Sequence, residues 1–100
     1  MNKEEILEIL KAHRDDIKKF GVKKIGLFGS FVRGESRETS DLDIVVEFEE
    51  GRGNMHDFIG LIEYLESLFN KPVDVLTPTG IENIRIKHIK ERIQREVEYV

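Results

Sequence analysis

Several features are scarce or missing in this chain, and each absence excludes a class of protein. The sequence contains no cysteine, which excludes a disulfide framework and any metal site with thiolate ligands. No apolar run approaches the roughly 20 residues that a membrane-spanning helix needs. The first residues also lack the layout of a secretory signal. We therefore expect a cytoplasmic protein with no membrane partner.

The chain also has no surplus of positive charge. Its formal net charge is -4, whereas a nonspecific nucleic-acid binder needs an excess of Lys and Arg to contact phosphates. We therefore expect no direct nucleic-acid partner. The charges are nonetheless uneven, because residues 35–57 carry eight acidic and two basic side chains. This acidic segment favours a surface that attracts cations.

Apolar periodicity predicts an alternation of helices and strands in one domain, residues 1–100. Helical spacing covers residues 4–20, ends before Gly21, and recurs over residues 55–69 after the capping residue Asn54. The apolar stripe predicted for that second helix consists of Met55, Phe58, Ile62, Leu65 and Phe69. Strands are predicted at Val22–Phe28, Leu42–Phe48 and 71–76, with a short helix between the first two.

The C-terminal quarter is predicted to contain one more helix. The segment TPTG at residues 77–80 is expected to break the chain, helical spacing resumes from residue 82 onward, and the last residues form a tail. The order of elements predicts an α/β (α+β) fold, with a small mixed β-sheet flanked by helices.

Three carboxylates are candidates for a metal site. Strand alternation places Asp41 and Asp43 on the same face, about 7 Å apart along the backbone, and Asp74 joins them if its strand lies alongside. Such a group repels itself unless a multivalent cation compensates the charge. Oxygen ligands without His or Cys favour Mg²⁺ or Mn²⁺. The pattern is typical of a two-metal site for phosphoryl or nucleotidyl transfer.

Gly29 and Ser30 follow the first strand directly and open a short helix. Glycine permits a sharp turn and a close approach of the backbone, and free N–H groups at a helix start favour an anion. A plain N-cap is the simpler interpretation of Ser30. Arg33 is within reach of a phosphate in this arrangement, but it also suits a solvated position or an ion pair with a nearby acid.

Gly29 and Ser30, then ten residues, then Asp41-Leu42-Asp43, make a composite motif in GSFVRGESRETSDLD. With the later PVDVLTP, it resembles the minimal nucleotidyltransferase (MNT) group of the polymerase β-like nucleotidyltransferase superfamily. The resemblance implies that group's fold, with Asp41, Asp43 and Asp74 as metal ligands. It also implies that Gly29 and Ser30 contact the phosphates of ATP, with Arg33 as a further candidate.

The resemblance implies an activity and a partner as well. Such proteins are antitoxins of HEPN-domain ribonuclease toxins, and they transfer AMP from ATP to a toxin tyrosine with Mg²⁺ as cofactor. Asp74 is expected to hold the catalytic ion, and it is also a candidate to accept the proton of the acceptor hydroxyl. The alternative is a noncatalytic antitoxin or nucleotide-binding regulatory module that acts by complex formation. A homo-oligomer is compatible with the sequence.

Overall fold

The computed structural model describes residues 1–100. Six helices and four strands follow one another as α1 (Lys3–Ala12), α2 (Arg14–Lys18), β1 (Val22–Phe28), α3 (Ser30–Arg33), β2 (Leu42–Phe48), α4 (Met55–Phe69), β3 (Val73–Leu76), α5 (Pro78–Glu82), α6 (Lys87–Glu96) and β4 (Glu98–Tyr99). None of these helices combines the length and the apolar character required to cross a membrane.

The four strands form one mixed sheet in the order β3-β2-β1-β4. β1 pairs antiparallel with both β2 and β4, whereas β2 and β3 run parallel. The chain passes from β2 to β3 through α4, since two parallel strands need a long crossover connection. The predicted fold class, a small mixed sheet flanked by helices, is therefore confirmed.

Side-chain alternation along the strands divides the hydrophobic core between the two faces of the sheet. On the first face, Leu27, Leu42 and Ile44 belong to a cluster of 14 buried residues that includes side chains of α1 to α4. On the second face, Phe28 and Val45 form a cluster of four with one residue each from α5 and α6. The second face therefore carries fewer buried apolar side chains than the first.

The first predicted helix is interrupted, so the prediction of one continuous helix over 4–20 is wrong. The break falls at His13, whose backbone angles are φ -108° and ψ 18°. Its ring Nδ1 lies 2.9 Å from the carbonyl oxygen of Ile9, a carbonyl near the end of α1. Gly21 follows the helical region with φ 82°, a conformation that favours glycine.

The buried stripe of α4 includes Leu65 and Phe69 as predicted, but its first half differs from the prediction. Leu61 and Leu65 are fully buried, whereas Met55 is 73% exposed. The stripe begins instead at Asp57, a buried carboxylate that Arg52 holds through two hydrogen bonds of 2.8 and 2.9 Å. Residues four apart share a helix face, so Asp57, Leu61 and Leu65 lie along the same buried side of α4. The ion pair with Arg52 holds the first turn of the helix in this orientation.

The C-terminal quarter contains more structure than predicted. The TPTG segment starts α5 and does not break the chain, because the Thr77 hydroxyl accepts a hydrogen bond of 3.1 Å from the Gly80 N–H and proline occupies the first turn. Residues 83–86 separate α5 from α6, so the last long helix begins at Lys87 and not at residue 82 as predicted. The expected tail is strand β4, whose Glu98 and Tyr99 pair with Leu27 and Gly26.

Candidate active site

Three aspartates lie together at one end of the second face. The parallel register of β2 and β3 pairs Asp43 with Asp74, and Asp41 stands immediately before β2. Paired residues on neighbouring strands project to the same face. The expected pairing of Asp43 with Asp74 on adjacent strands is observed, while the convergence of all three carboxylates on one cation and their roles as metal ligands and catalytic residues stay predictions.

Asp43 has the most perturbed environment of the three. Its carboxyl group is half-buried, and this burial, followed by the negative charges of Asp74 and Asp41, raises its pKa from 3.8 to about 6. The positive charge of Arg33 opposes the shift in pKa only in part. A cation bound beside Asp43 would relieve both the burial penalty and the repulsion.

The donor chemistry of this group fits a hard divalent cation. Asp41, Asp43 and Asp74 offer only oxygen atoms, the ligands that Mg²⁺ and Mn²⁺ prefer. As placed here, no three acidic or His side chains converge closely enough to enclose a metal ion by themselves. Mg²⁺ usually keeps several waters and takes phosphate oxygens from its substrate, so an open set of carboxylates suits it.

Gly29 forms the turn between β1 and α3, directly beside Asp43. Its backbone angles are φ 83° and ψ -154°, a conformation that side chains rarely permit. A Cβ atom at this position would overlap the carboxylate of Asp43. Only glycine therefore allows the turn to pass this close to the Asp43 carboxylate.

Ser30 and Arg33 both belong to α3. Gly29 holds the N-cap position and no side-chain hydrogen bond caps the helix, so the simpler interpretation of Ser30 as a plain N-cap is wrong. Arg33 forms ion pairs, donating from Nε to Glu35 at 2.7 Å and from Nη1 to both oxygens of Glu96 at 3.0 Å. Their predicted contacts with nucleotide phosphates stay predictions.

Glu96 is the residue of this site that the sequence analysis missed. It is the last residue of α6, its side chain is only 10% exposed, and it also accepts a hydrogen bond of 3.2 Å from the Gly29 N–H. The two residues are 67 positions apart in sequence, so no local spacing connects them. The one local signal is a carboxylate at the C-terminal end of a helix, where the macrodipole disfavours an anion.

The site therefore combines a set of carboxylates for a cation with a glycine turn packed against Asp43 and with the nearby guanidinium group of Arg33. Such a combination can hold a polyphosphate between bound cations and fixed hydrogen-bond donors. It suits the transfer of a phosphorus-centred group, in which positioning and charge stabilisation supply most of the catalysis.

Known proteins resemble this chain over nearly its whole length. Residues 4–100 match the family described as "Nucleotidyltransferase domain". The protein adenylyltransferase MntA of Thermococcus cleftensis is 45% identical over 98 residues, which cover 97% of this chain and 94% of that protein. The "Putative protein adenylyltransferase MJ1379" of Methanocaldococcus jannaschii is 43% identical over 98 residues, covering 96% of this chain and 95% of that protein.

Solved structures share the fold. The "Structure of putative minimal nucleotidyltransferase" aligns with a TM-score of 0.67 and 34% identity, covering 98% of this chain and 95% of that one. The crystal structure of a toxin–antitoxin with AMP-PNP aligns with a TM-score of 0.63 and 23% identity, covering 99% of this chain and 72% of that one. This chain belongs to the nucleotidyltransferase domain family. Its predicted membership of the minimal nucleotidyltransferase group and its predicted class, nucleotidyltransferase, are confirmed.

Proposed function

We propose that this chain is a protein adenylyltransferase that transfers AMP from ATP to a tyrosine of a HEPN-domain ribonuclease toxin, and that it acts as the antitoxin of that pair. The observation that carries the proposal is the pairing of Asp43 with Asp74 beside the Gly29 turn. The relatives named as protein adenylyltransferases support the reaction. The toxin–antitoxin structure with AMP-PNP shares the fold alone, so the partner rests on the motif resemblance.

Asp41, Asp43 and Asp74 are the residues that would hold Mg²⁺, with two ions expected. When bound, these ions would supply charge neutralisation at the triphosphate and activation of the acceptor hydroxyl. Gly29 and Ser30 would contact the phosphates of ATP through the turn. Arg33 keeps its Nη2 group free of protein hydrogen bonds, and this group would be its contact with phosphate.

The transfer is an in-line displacement at the α-phosphorus of ATP. The tyrosine oxygen forms a bond to that phosphorus, the bond to the bridging oxygen of the β-phosphate breaks, and pyrophosphate leaves. The hydroxyl proton passes to Asp74 or to solvent. The residues of this chain contribute mainly by fixing the triphosphate in line with the acceptor and by keeping it there during the step.

Intact-mass analysis of the cognate HEPN-domain protein tests this proposal. After incubation with Mg-ATP and this chain, we expect its mass to increase by one or more AMP units. The increase should disappear when EDTA replaces Mg²⁺. The increase should also disappear with the double variant Asp41→Asn, Asp43→Asn. That variant should stay folded, because it removes charges that repel each other at the site.

A matched control is Glu47→Gln, which removes a carboxylate from the same strand. Glu47 lies outside the site and makes only a 4.0 Å ion pair with Lys23, so transfer should continue at the normal rate. Transfer that persists in the double aspartate variant would exclude these carboxylates as the active site. A stable complex of the two proteins without any mass increase would favour the regulatory module that acts by binding.

A further inference from the structure

Glu96 connects the C-terminal helix to the glycine turn through two independent contacts. Its Oε1 atom accepts a hydrogen bond of 3.2 Å from the Gly29 N–H, and both carboxylate oxygens lie 3.0 Å from Arg33 Nη1. The side chain of Glu96 is 10% exposed and that of Arg33 is 31% exposed, so these contacts are only partly shielded from solvent. An ion pair of this kind is screened less by salt than one on the surface.

The position of Glu96 is fixed on both sides by the fold. Three residues earlier in α6, Ile93 packs with Phe28 and Val45 in the second-face cluster. Two residues later, Glu98 pairs with Leu27 in the sheet. Because the chain is held before and after it, Glu96 has little freedom to leave the turn, which is the preorganisation that a supporting residue requires.

Local stability does not account for a carboxylate at this position. Glu96 ends α6, where the helix dipole favours a cation. Its charge also contributes to the raised pKa of Asp43, so it adds to the repulsion within the site. The favourable interactions that offset these costs are the ones with Arg33 and the Gly29 N–H.

Arg33 is correspondingly held from two directions. Its Nε atom donates to Glu35 at 2.7 Å while Nη1 donates to Glu96. These two contacts fix the plane of the guanidinium group, because its donors form a rigid fork. The remaining Nη2 group then has a defined direction beside the turn.

We propose that Glu96 is a positioning residue for nucleotide transfer, because it fixes both the Gly29–Ser30 turn and the Arg33 guanidinium relative to Asp43. This inference rests on the proposed function, since it assigns Glu96 to the same reaction. Glu96 does not touch the substrate. Its carboxylate accepts hydrogen bonds from the Gly29 N–H and from Arg33 Nη1, so it acts by holding the turn and the guanidinium group in place, and its loss allows the turn to shift and the guanidinium to rotate.

Steady-state kinetics of Glu96→Ala test the inference. We expect kcat/KM for ATP to fall about 10-fold to 100-fold, the range typical of supporting residues around a reactive centre. Glu96→Gln, which keeps the shape and one acceptor oxygen, should lose less. The matched control is Glu91→Ala on the same helix, whose carboxylate is 47% exposed and makes only a 3.9 Å ion pair with Lys87. This control should retain the kinetics of the unmutated chain.

A double-mutant cycle with Arg33→Ala separates positioning from a merely structural role. Because Glu96 acts through Arg33 as well as through the Gly29 turn, the double variant should lose less kcat/KM than the product of the two single losses. Losses that multiply in the double variant would overturn the inference. So would an unchanged kcat/KM in Glu96→Ala, or an increase, since an increase would mean that the carboxylate competes with phosphate for the turn.

Amide hydrogen exchange provides a readout that does not depend on catalysis. The Gly29 amide should exchange about tenfold faster in Glu96→Ala, as expected for the loss of one hydrogen bond. Unchanged exchange would overturn the inference even if transfer is slower. If the unmutated chain transfers no AMP while this exchange still accelerates, the proposed function fails and the positioning of the turn by Glu96 stands.

Discussion

Gly29 is the residue at which backbone geometry and site chemistry meet. Its φ of 83° and ψ of -154° lie in a region of backbone conformation that is allowed essentially only for glycine. A Cβ atom at this position would also overlap the Asp43 carboxylate. Gly34, at the other end of α3, also has a positive φ of 74°, but nothing lies within 4 Å of where its Cβ would be. A comparison of the two positions therefore distinguishes the cost of a positive φ from the additional cost of a side-chain overlap with Asp43.

Alanine substitutions at these two glycines should have unequal effects on stability. Gly34→Ala should lower the free energy of unfolding by about 1 kcal/mol, the cost of a left-handed backbone for an ordinary residue. Gly29→Ala should cost more, near the upper end of about 1–3 kcal/mol, because the side chain also displaces Asp43. Urea denaturation of both variants measures the difference. Equal losses would show that Asp43 does not require glycine at position 29.

At the scale of elements, the second face of the sheet depends on the short C-terminal segments. α5 and α6 each place one buried isoleucine, Ile81 and Ile93, against Phe28 and Val45. α5 has only five residues, too few for a stable isolated helix. Its geometry therefore depends on its cap and on its packing, and the Thr77 hydroxyl supplies that cap.

Removal of the α5 cap should be measurable in the stability of the whole chain. Thr77→Ala deletes the acceptor of the Gly80 N–H and should lower the free energy of unfolding by about 1 kcal/mol. Thr77→Ser retains the hydroxyl and serves as the matched control. Thermal or urea denaturation compares the two variants. If alanine and serine are equally tolerated, α5 does not depend on this hydrogen bond.

At the scale of the whole molecule, the order of strands places the site at one end of the sheet, next to its two central strands. β1 and β2 occupy the middle of the sheet, with Phe28 paired to Asp43 and the Gly29 turn directly beyond. Most of the apolar core lies on the opposite face. This division leaves the carboxylates on the face with fewer buried apolar side chains, while the other face supplies most of the burial that holds the sheet together.

The chain is also held together away from the site by Arg52, in the loop between β2 and α4. Its guanidinium group bonds the carboxylate of Asp57 at 2.8 and 2.9 Å and the carbonyl of Lys19 at 3.0 Å. The hydrogen bond from Arg52, assisted by the one from the Gly53 N–H, lowers the pKa of Asp57 to about 2. The end of the α2 region and the start of α4 are thereby joined through one ion pair.

This ion pair should make the free energy of unfolding depend on pH in acid. Asp57 has a lower pKa in the folded chain than the ordinary value of 3.8, so its contribution is fully present above about pH 4. It is lost as the pH falls toward 2, because protonation removes the partner of Arg52. Urea denaturation at a series of pH values should show a steeper decline for the unmutated chain than for Asp57→Asn. Parallel profiles would contradict the assignment.

The sequence by itself determined the strands β1, β2 and β3, the face on which each aspartate lies, and the Gly29 turn that precedes them. These features follow from the two-residue period of strands and from the conformational range of glycine, both of which are local. Helix bounds were less accurate, since the break at His13 and the start of α5 depend on particular hydrogen bonds.

Only the tertiary structure decided which distant residues meet. The pairing of Asp43 with Asp74 depends on the parallel register of β2 and β3, and the pairing of β4 with β1 depends on where α6 ends. The contact of Glu96 with Gly29 spans 67 positions. Such contacts form when apolar burial on both faces fixes the packing of the helices, a property of the whole chain that no local pattern encodes.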